Sequence, residues 1–238
     1  MGCYGGYYLQ CDRLEGFEHG FFTRQWAGRG PEVLAGYLSA GVSVHRPQQV
    51  HGARVVAAGE AVAEPWPEAD GLVSSGGGQS LWVCGADCTP VLLADPRSGR
   101  TAACHAGWRG VAGGIVPAAI AALEAAGSRR QDLQVALGPA ISGARYQVED
   151  AVVEAIAAGL GTTSEELRRS GALQEDPEPG RHRLDIRAAT VVQLRRAGLD
   201  PAQIAECPLC TAAEPELFHS WRRDQVKAVQ WSGIVAQA

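Results

Sequence analysis

Asparagine is absent from the 238-residue chain, and lysine occurs once, at Lys227. The first absence excludes a cysteine-histidine-asparagine triad of the papain type. The second removes the Gly-Lys-Ser/Thr of a phosphate-binding loop, because Lys227 stands between Val226 and Ala228. Schiff-base chemistry would rest on that same residue, in a polar stretch, and is set aside. Positive charge is also short. Lys plus Arg number 21 against 26 Asp plus Glu, so the net charge is -5, which disfavours a protein that reads a nucleic-acid backbone. Long apolar runs are missing as well. The longest uncharged stretches, 71–86 and 110–123, are short and carry Gly or Ser, so a membrane span is not expected.

A hydrophobic content of 46% is enough for a sizeable core. No repeat and no Gly/Ser or Pro linker divides the chain, so one domain over 1–238 is expected. The seven cysteines are an odd number, no signal-peptide pattern opens the chain, and the chain is larger than domains that need disulfide staples. Free thiols in the cytoplasm are the expectation, with Cys207 and Cys210 read as incidental despite their C-x-x-C spacing. Helices are expected over 31–38, 111–126, 148–160 and 184–199, and a surface helix and loop over 164–178. Strands are expected at 71–73, 81–83, 90–94, 101–105 and 133–137 and near His51, with an extended tail after Pro208. Helices and strands interleave without a regular βαβ period. The fold class this implies is α/β in the broad sense, more narrowly α+β: a mixed β-sheet core flanked by helices.

The 90–94 and 101–105 runs flank Asp95-Pro96-Arg97-Ser98-Gly99-Arg100, a turn composition. If Ala94 pairs with Thr101, Pro90 lies opposite His105, and Cys88, two residues earlier, shares the face of His105. Diagonal neighbours of this kind have β-carbons roughly 5 to 8 Å apart, and a one-residue slip would separate them. A thiolate and an imidazole at that distance suit one shared zinc ion or one shared proton. Cysteine is also a common core filler, so the pairing gains weight from its neighbours. Asp87 is a carboxylate in an apolar run, which needs a partner or a metal. Gly107 and Gly110 allow close approach to a ligand, and Arg109 offers a guanidinium fork for phosphate or carboxylate.

Several blocks taken together resemble one family. They are Gln49-Val50-His51-Gly52, Ala69-Asp70-Gly71-Leu72-Val73, Ala86-Asp87-Cys88-Thr89-Pro90-Val91 and His105-Ala106-Gly107-Trp108-Arg109-Gly110, continued by Leu137-Gly138-Pro139-Ala140-Ile141, Tyr146-Gln147-Val148, Leu184-Asp185, Cys210-Thr211 and 218–224. Their order and composition are similar to the laccase-domain family, formerly described as multicopper polyphenol oxidases and now as zinc-dependent purine nucleoside phosphorylases.

The resemblance implies a zinc held by His51, Cys88 and His105, with a fourth position left for chemistry; copper would enter such a site adventitiously. His51 joins the set through the resemblance alone. The implied activity is phosphorolysis of adenosine, inosine, guanosine and methylthioadenosine, together with deamination of adenosine. The partners are then a purine nucleoside and phosphate, with no nucleic acid, membrane or obligate protein partner. On that reading Asp87, Cys88 and His105 are catalytic, and Gln49, Arg109, Arg222 and Arg223 bind substrate. The chain departs from the family between its first strand and the Gln-Val-His block, where a family Asn motif cannot exist in a chain without asparagine. After Arg222-Arg223-Asp224 it also lacks the family's Gly-Arg. Two other chemistries fit overlapping residues: a zinc or cysteine amidohydrolase editing peptidoglycan precursors, and a copper polyphenol oxidase. The second would need more histidines than the six present. The H-x-E signature of nucleoside deaminases is absent, since no histidine has Glu two residues later.

Overall fold

A computed structural model describes residues 2, 3 and 6–237. Two mixed six-stranded sheets form its centre. The first runs in the order Gly2–Cys3, Gly6–Leu9, His19–Phe22, Gln230–Val235, Gln79–Gly85, Ser43–His45. The second runs Ile204–Glu206, Gln134–Leu137, Thr89–Ala94, Thr101–Ala106, Gly71–Val73, Val55–Ala57. A small three-stranded sheet, Gln147–Glu149, Arg181–Leu184, Leu173–Glu175, contributes Val148, Leu173 and Leu184 to the core that lines the second sheet. The mixed-sheet α+β expectation holds.

The apolar strand runs follow from how these sheets are covered. Leu92, Ala94 and Ala103 of the second sheet pack with Leu81, Val83 and Ile234 of the first, forming the core between the sheets. Val91, Leu93, Ala102 and Cys104 point the other way, onto helices carrying Ile115, Ile120, Ile156 and Leu194. A strand buried on both faces has no polar side to show, hence the unbroken apolar runs. On the outer face of the first sheet, Phe22 and Trp82 pack against Leu34 and Ala35 of helix Pro31–Leu38.

The Thr89–Ala94 and Thr101–Ala106 hairpin has Ala94 opposite Thr101 and Pro90 opposite His105, the register expected from its turn. Asp95 closes that turn, accepting from the amides of Arg97 and Ser98 and from the Ser98 hydroxyl. Elsewhere the expected elements need correction. The helix expected over 111–126 is two helices, Trp108–Gly113 and Ile115–Ala125, broken where Gly114 adopts φ 85°, a conformation open to glycine at little cost. Pro117 falls in the first turn of the second, where a missing N–H costs nothing. Val148 belongs to a strand, and its helix begins at Asp150. The 164–178 stretch holds helix Ser164–Arg169, capped by Thr163 and Glu166, and a strand, Leu173–Glu175. The tail after Pro208 contains a short helix, Trp221–Asp224, before its strand. The strand expected near His51 is Val55–Ala57, and His51 itself lies in a bend before it. Among the described residues, no helix is long and apolar enough to cross a membrane.

Helix Trp108–Gly113, which carries Arg109, is seated against helix Asp150–Leu160 at Gly159. A β-carbon on Gly159 would run into the backbone carbonyl of Ala112. Overpacking against backbone costs about 1 to 3 kcal/mol. Gly159→Ala is therefore expected to lower the unfolding free energy by about that amount in a denaturant titration, whereas Gly36→Ala, with open space around it, should not.

Candidate metal centre

The site forms where the chain leaves the first sheet for the second. Strand Gln79–Gly85 ends, the segment Ala86-Asp87-Cys88 turns, and strand Thr89–Ala94 begins. Asp87 makes the turn at φ 96°, a strained conformation for a residue with a β-carbon. Three of its atoms are spoken for. One carboxylate oxygen accepts from the Thr211 hydroxyl at 2.6 Å, the other from the Arg222 amide at 2.7 Å, and its carbonyl accepts from the Ile141 amide.

Cys88 and His105 meet as the hairpin register requires, and His51 approaches from the bend at 50–52. The metal-binding atoms of the three all lie within 4.8 Å of one another, and the two imidazole rings are nearly perpendicular, 80° apart with centres 4.8 Å apart. His105 is buried, Cys88 half-buried and His51 exposed, so the group opens to one side. Space for an ion is preserved by Gly107, where a β-carbon would lie 2.9 Å from Cys88 Sγ and 3.5 Å from the His51 ring. Among the described residues this is the one cluster of three or more such donors. Two imidazoles and a thiolate suit zinc or copper far better than a hard cation. The residues present therefore fit a bound transition-metal ion.

The residue that organises the cluster is Asp70, to which the sequence reading assigned no role. Its fully buried carboxylate accepts from the backbone amides of Val50, His51 and Gly52 at 3.1, 2.9 and 2.6 Å, and lies 2.8 Å from His105 Nδ1. Its carbonyl also accepts from the His105 amide. An acid at Nδ1 makes that nitrogen the donor and leaves Nε2 for the metal. The same contacts hold the bend at φ 61° for His51. The available signal was Asp70 itself, a carboxylate inside the apolar block 69–73.

Charge follows from this packing. Burial opposes a Cys88 thiolate, but the adjoining imidazoles of His105 and His51 reverse that and bring the thiol down to about 6. Burial also opposes charge on His105, where the Cys88 thiolate and Asp70 prevail and raise the imidazole to about 9. Burial pushes Cys84 up to about 11 and Cys104 up to about 12, so proximity to imidazole singles out Cys88. All six cysteines with described side chains are free. Cys210 is buried and accepts from the amide and hydroxyl of Ser142, which is a structural setting.

A cavity of about 640 Å³ opens over the cluster. Gln49, Asp87, Arg109 and Arg222 line it with the three donors. The Gln49 side chain is held by both its ends, exchanging 2.7 Å bonds with the Cys84 amide and carbonyl. Arg109 stacks over Trp108, and Arg222 stacks over Tyr146 while donating to the Gln147 carbonyl. Arg223 is placed otherwise than expected. It does not line the cavity, and its guanidinium is committed to the Thr211 and Phe218 carbonyls and to Asp224. Lys227, set aside from the sequence, does line the cavity.

Sheets and donor set together define an α+β protein with a candidate transition-metal centre at the floor of one cavity. The chain belongs to the family described as multi-copper polyphenol oxidoreductase laccase, whose model matches residues 32–237. A Synechocystis protein named purine nucleoside phosphorylase is 41% identical, over 98% of this chain and 94% of that protein. A Geobacillus stearothermophilus protein, "Purine nucleoside phosphorylase YlmD", is 36% identical over 67% of this chain and 56% of its own length. The crystal structure of YlmD from Geobacillus stearothermophilus superposes with a TM-score of 0.84 at 26% identity, covering 100% of this chain and 98% of that one.

Two outcomes test this geometry. Asp70→Asn places an amide where His105 Nδ1 and three backbone amides need an acceptor, so zinc affinity measured against a competing chelator should fall about 10- to 100-fold. In metal-free protein, Cys88 is a thiolate above about pH 6. Iodoacetamide labelling at Cys88, followed by peptide mass spectrometry, should be fast at pH 7 and slow as the pH drops through that value, and added zinc should block it. Labelling of Cys88 that begins only above pH 8 would contradict the electrostatics.

Proposed function

We propose that the protein is a zinc-dependent purine nucleoside phosphorylase, with residues 1–238 acting as one domain in the cytoplasm. The observation that carries the proposal is a single cavity in which the His51, Cys88 and His105 donors share walls with Arg109 and Arg222. The names of the relatives support the same reading. Phosphorolysis needs a cationic clamp for phosphate next to a group that acts on the nucleoside, and both lie within one volume here. Arg222 is held by the Tyr146 ring and the Gln147 carbonyl, which pre-organises its guanidinium to receive an anion. Arg109 supplies the second guanidinium.

His51, Cys88 and His105 would hold the zinc, which when bound supplies a Lewis acid that polarises a substrate oxygen. Asp87 is proposed to exchange protons with the purine, its carboxylate positioned by Thr211 and the Arg222 amide. Gln49 ties the His51 bend to the Cys84 strand and bounds the substrate on that side. Arg223 supports the wall by clamping Thr211, Phe218 and Asp224. Adenosine, inosine, guanosine and methylthioadenosine are the proposed substrates, with adenosine deamination as a side activity.

The thiolate and imidazolium of metal-free Cys88 and His105 favour one second reading, a cysteine amidohydrolase. The two readings separate by experiment. Zinc-loaded protein incubated with adenosine should release adenine and ribose 1-phosphate only when phosphate is present, and inosine without phosphate would reveal deamination. His51→Ala, Cys88→Ala and His105→Ala should each lose both zinc and turnover. Arg109→Ala and Arg222→Ala should raise the KM for phosphate about tenfold or more, the cost of one charge-assisted hydrogen bond or two. Failure to turn over any nucleoside would remove the proposal, and an amidase active without metal would establish the alternative.

A further inference from the structure

Three aromatic side chains line the cavity: Trp108, Tyr146 and Trp221. Two already have a covered face. The guanidinium carbon of Arg109 lies 4.4 Å from the centre of the Trp108 ring, and that of Arg222 lies 4.7 Å from the centre of Tyr146. The Trp221 indole has no ring, cation or hydrogen-bond partner among the described residues, and the residue is 46% exposed. Its backbone is nevertheless held. The next amide, of Arg222, donates to buried Asp87, the Arg223 amide donates to the Ser220 hydroxyl, and the Trp221 carbonyl accepts from the Gln225 amide. Val226 and Val229, 59% and 43% exposed, line the same cavity. Single exposed apolar residues are ordinary, but three gathered on one cavity wall mark a binding surface.

We infer that Trp221 is the stacking platform for the planar heteroaromatic base of the substrate, with Val226 and Val229 closing on the edge of that base. The inference rests on the phosphorylase reading for the identity of the ring. The division of labour follows from the geometry. Guanidinium-covered aromatics hold their cations toward an anion, while the one open indole offers a π-face to a neutral ring. Trp221 is thus a specificity-determining residue for aromatic bases as a class, since every purine presents a face to stack and stacking tolerates changes at the ring edge.

The test compares wild type with Trp221→Ala and Trp221→Phe, using adenine as the probe in calorimetric titrations and adenosine and phosphate in steady-state assays. Trp221→Ala should raise the Kd for adenine and the KM for adenosine about tenfold or more, the usual loss for removing one base-stacking ring. The KM for phosphate and the bound zinc should stay at wild-type values, and Trp221→Phe should recover most of the adenine affinity. Adenine binding unchanged in Trp221→Ala, or a phosphate KM that rises as much as the adenosine KM, would overturn the inference while leaving the phosphorylase reading intact. A wild type that binds adenine through Trp221 yet turns over no nucleoside would instead keep the platform and remove that reading. If Trp221→Ala disrupts a dimer on gel filtration without weakening adenine binding, the surface covers a second copy of the chain and the inference fails.

Discussion

A carboxylate without solvent must find donors in the protein, and at Asp70 that requirement shapes the whole centre. Ionised and fully buried, it would be costly alone. Three successive amides, from Val50, His51 and Gly52, and the ring nitrogen of His105 satisfy it instead. Burial works to raise its pKa, and the bonds from His105 and Gly52 outweigh that, leaving it below the ordinary carboxylate value. The bend at 50–52, the start of strand Gly71–Val73 and the end of the hairpin are tied at one point. Each interaction that stabilises Asp70 also aims a metal-binding atom, so the stability of the acid and the geometry of the cluster are one problem with one solution.

Asp87 plays a parallel part among the residues that line the cavity. It joins the end of the first sheet to the start of the second in a strained conformation, and its oxygens receive Thr211 and the helix that begins at Trp221. That helix returns to the site because the strand following it, Gln230–Val235, lies inside the first sheet between His19–Phe22 and Gln79–Gly85. An internal strand has ladder bonds on both sides, so the segment before it is held at a defined height over the cavity. The cavity wall is thus anchored at both ends, by the Arg222 amide at Asp87 and by the sheet, although much of 221–229 is exposed. Anchoring of this kind helps a site to place a thiolate, two imidazoles and two guanidinium groups within reach of one small molecule.

The hairpin was the most legible feature. The six-residue turn Asp-Pro-Arg-Ser-Gly-Arg between two apolar runs suggested a register that pairs Ala94 with Thr101, and that register puts Cys88 beside His105. Helix stops at Gly127 and Gly161 were legible for a similar reason, since both adopt a left-handed conformation where their helices end. The break at Gly114 was not, because an apolar Ala/Gly/Ile run has the same composition whether one helix or two pass through it. His51 looked like part of a strand from Val50, Ala53 and Val55, and became a bend because Asp70, 19 positions away, draws three consecutive amides to one side. Arg222 and Arg223 looked equivalent. Only the packing of the short helix turns one toward the cavity and commits the other to carbonyls beneath it.

Local chemistry therefore determined the kind of protein: an apolar two-sided sheet, a turn with one register, a cysteine and a histidine on one face, and a basic side chain just beyond. These follow from contacts a few residues apart, or from the period-two geometry of a strand, and both can be counted along the chain. Tertiary structure decided which acid organises the histidines, which arginine faces the cavity and which aromatic ring stays open. Those outcomes depend on buried charge finding donors, and the donors come from segments up to 135 positions apart. No local pattern specifies them, because burial is a property of the assembled sheets and helices.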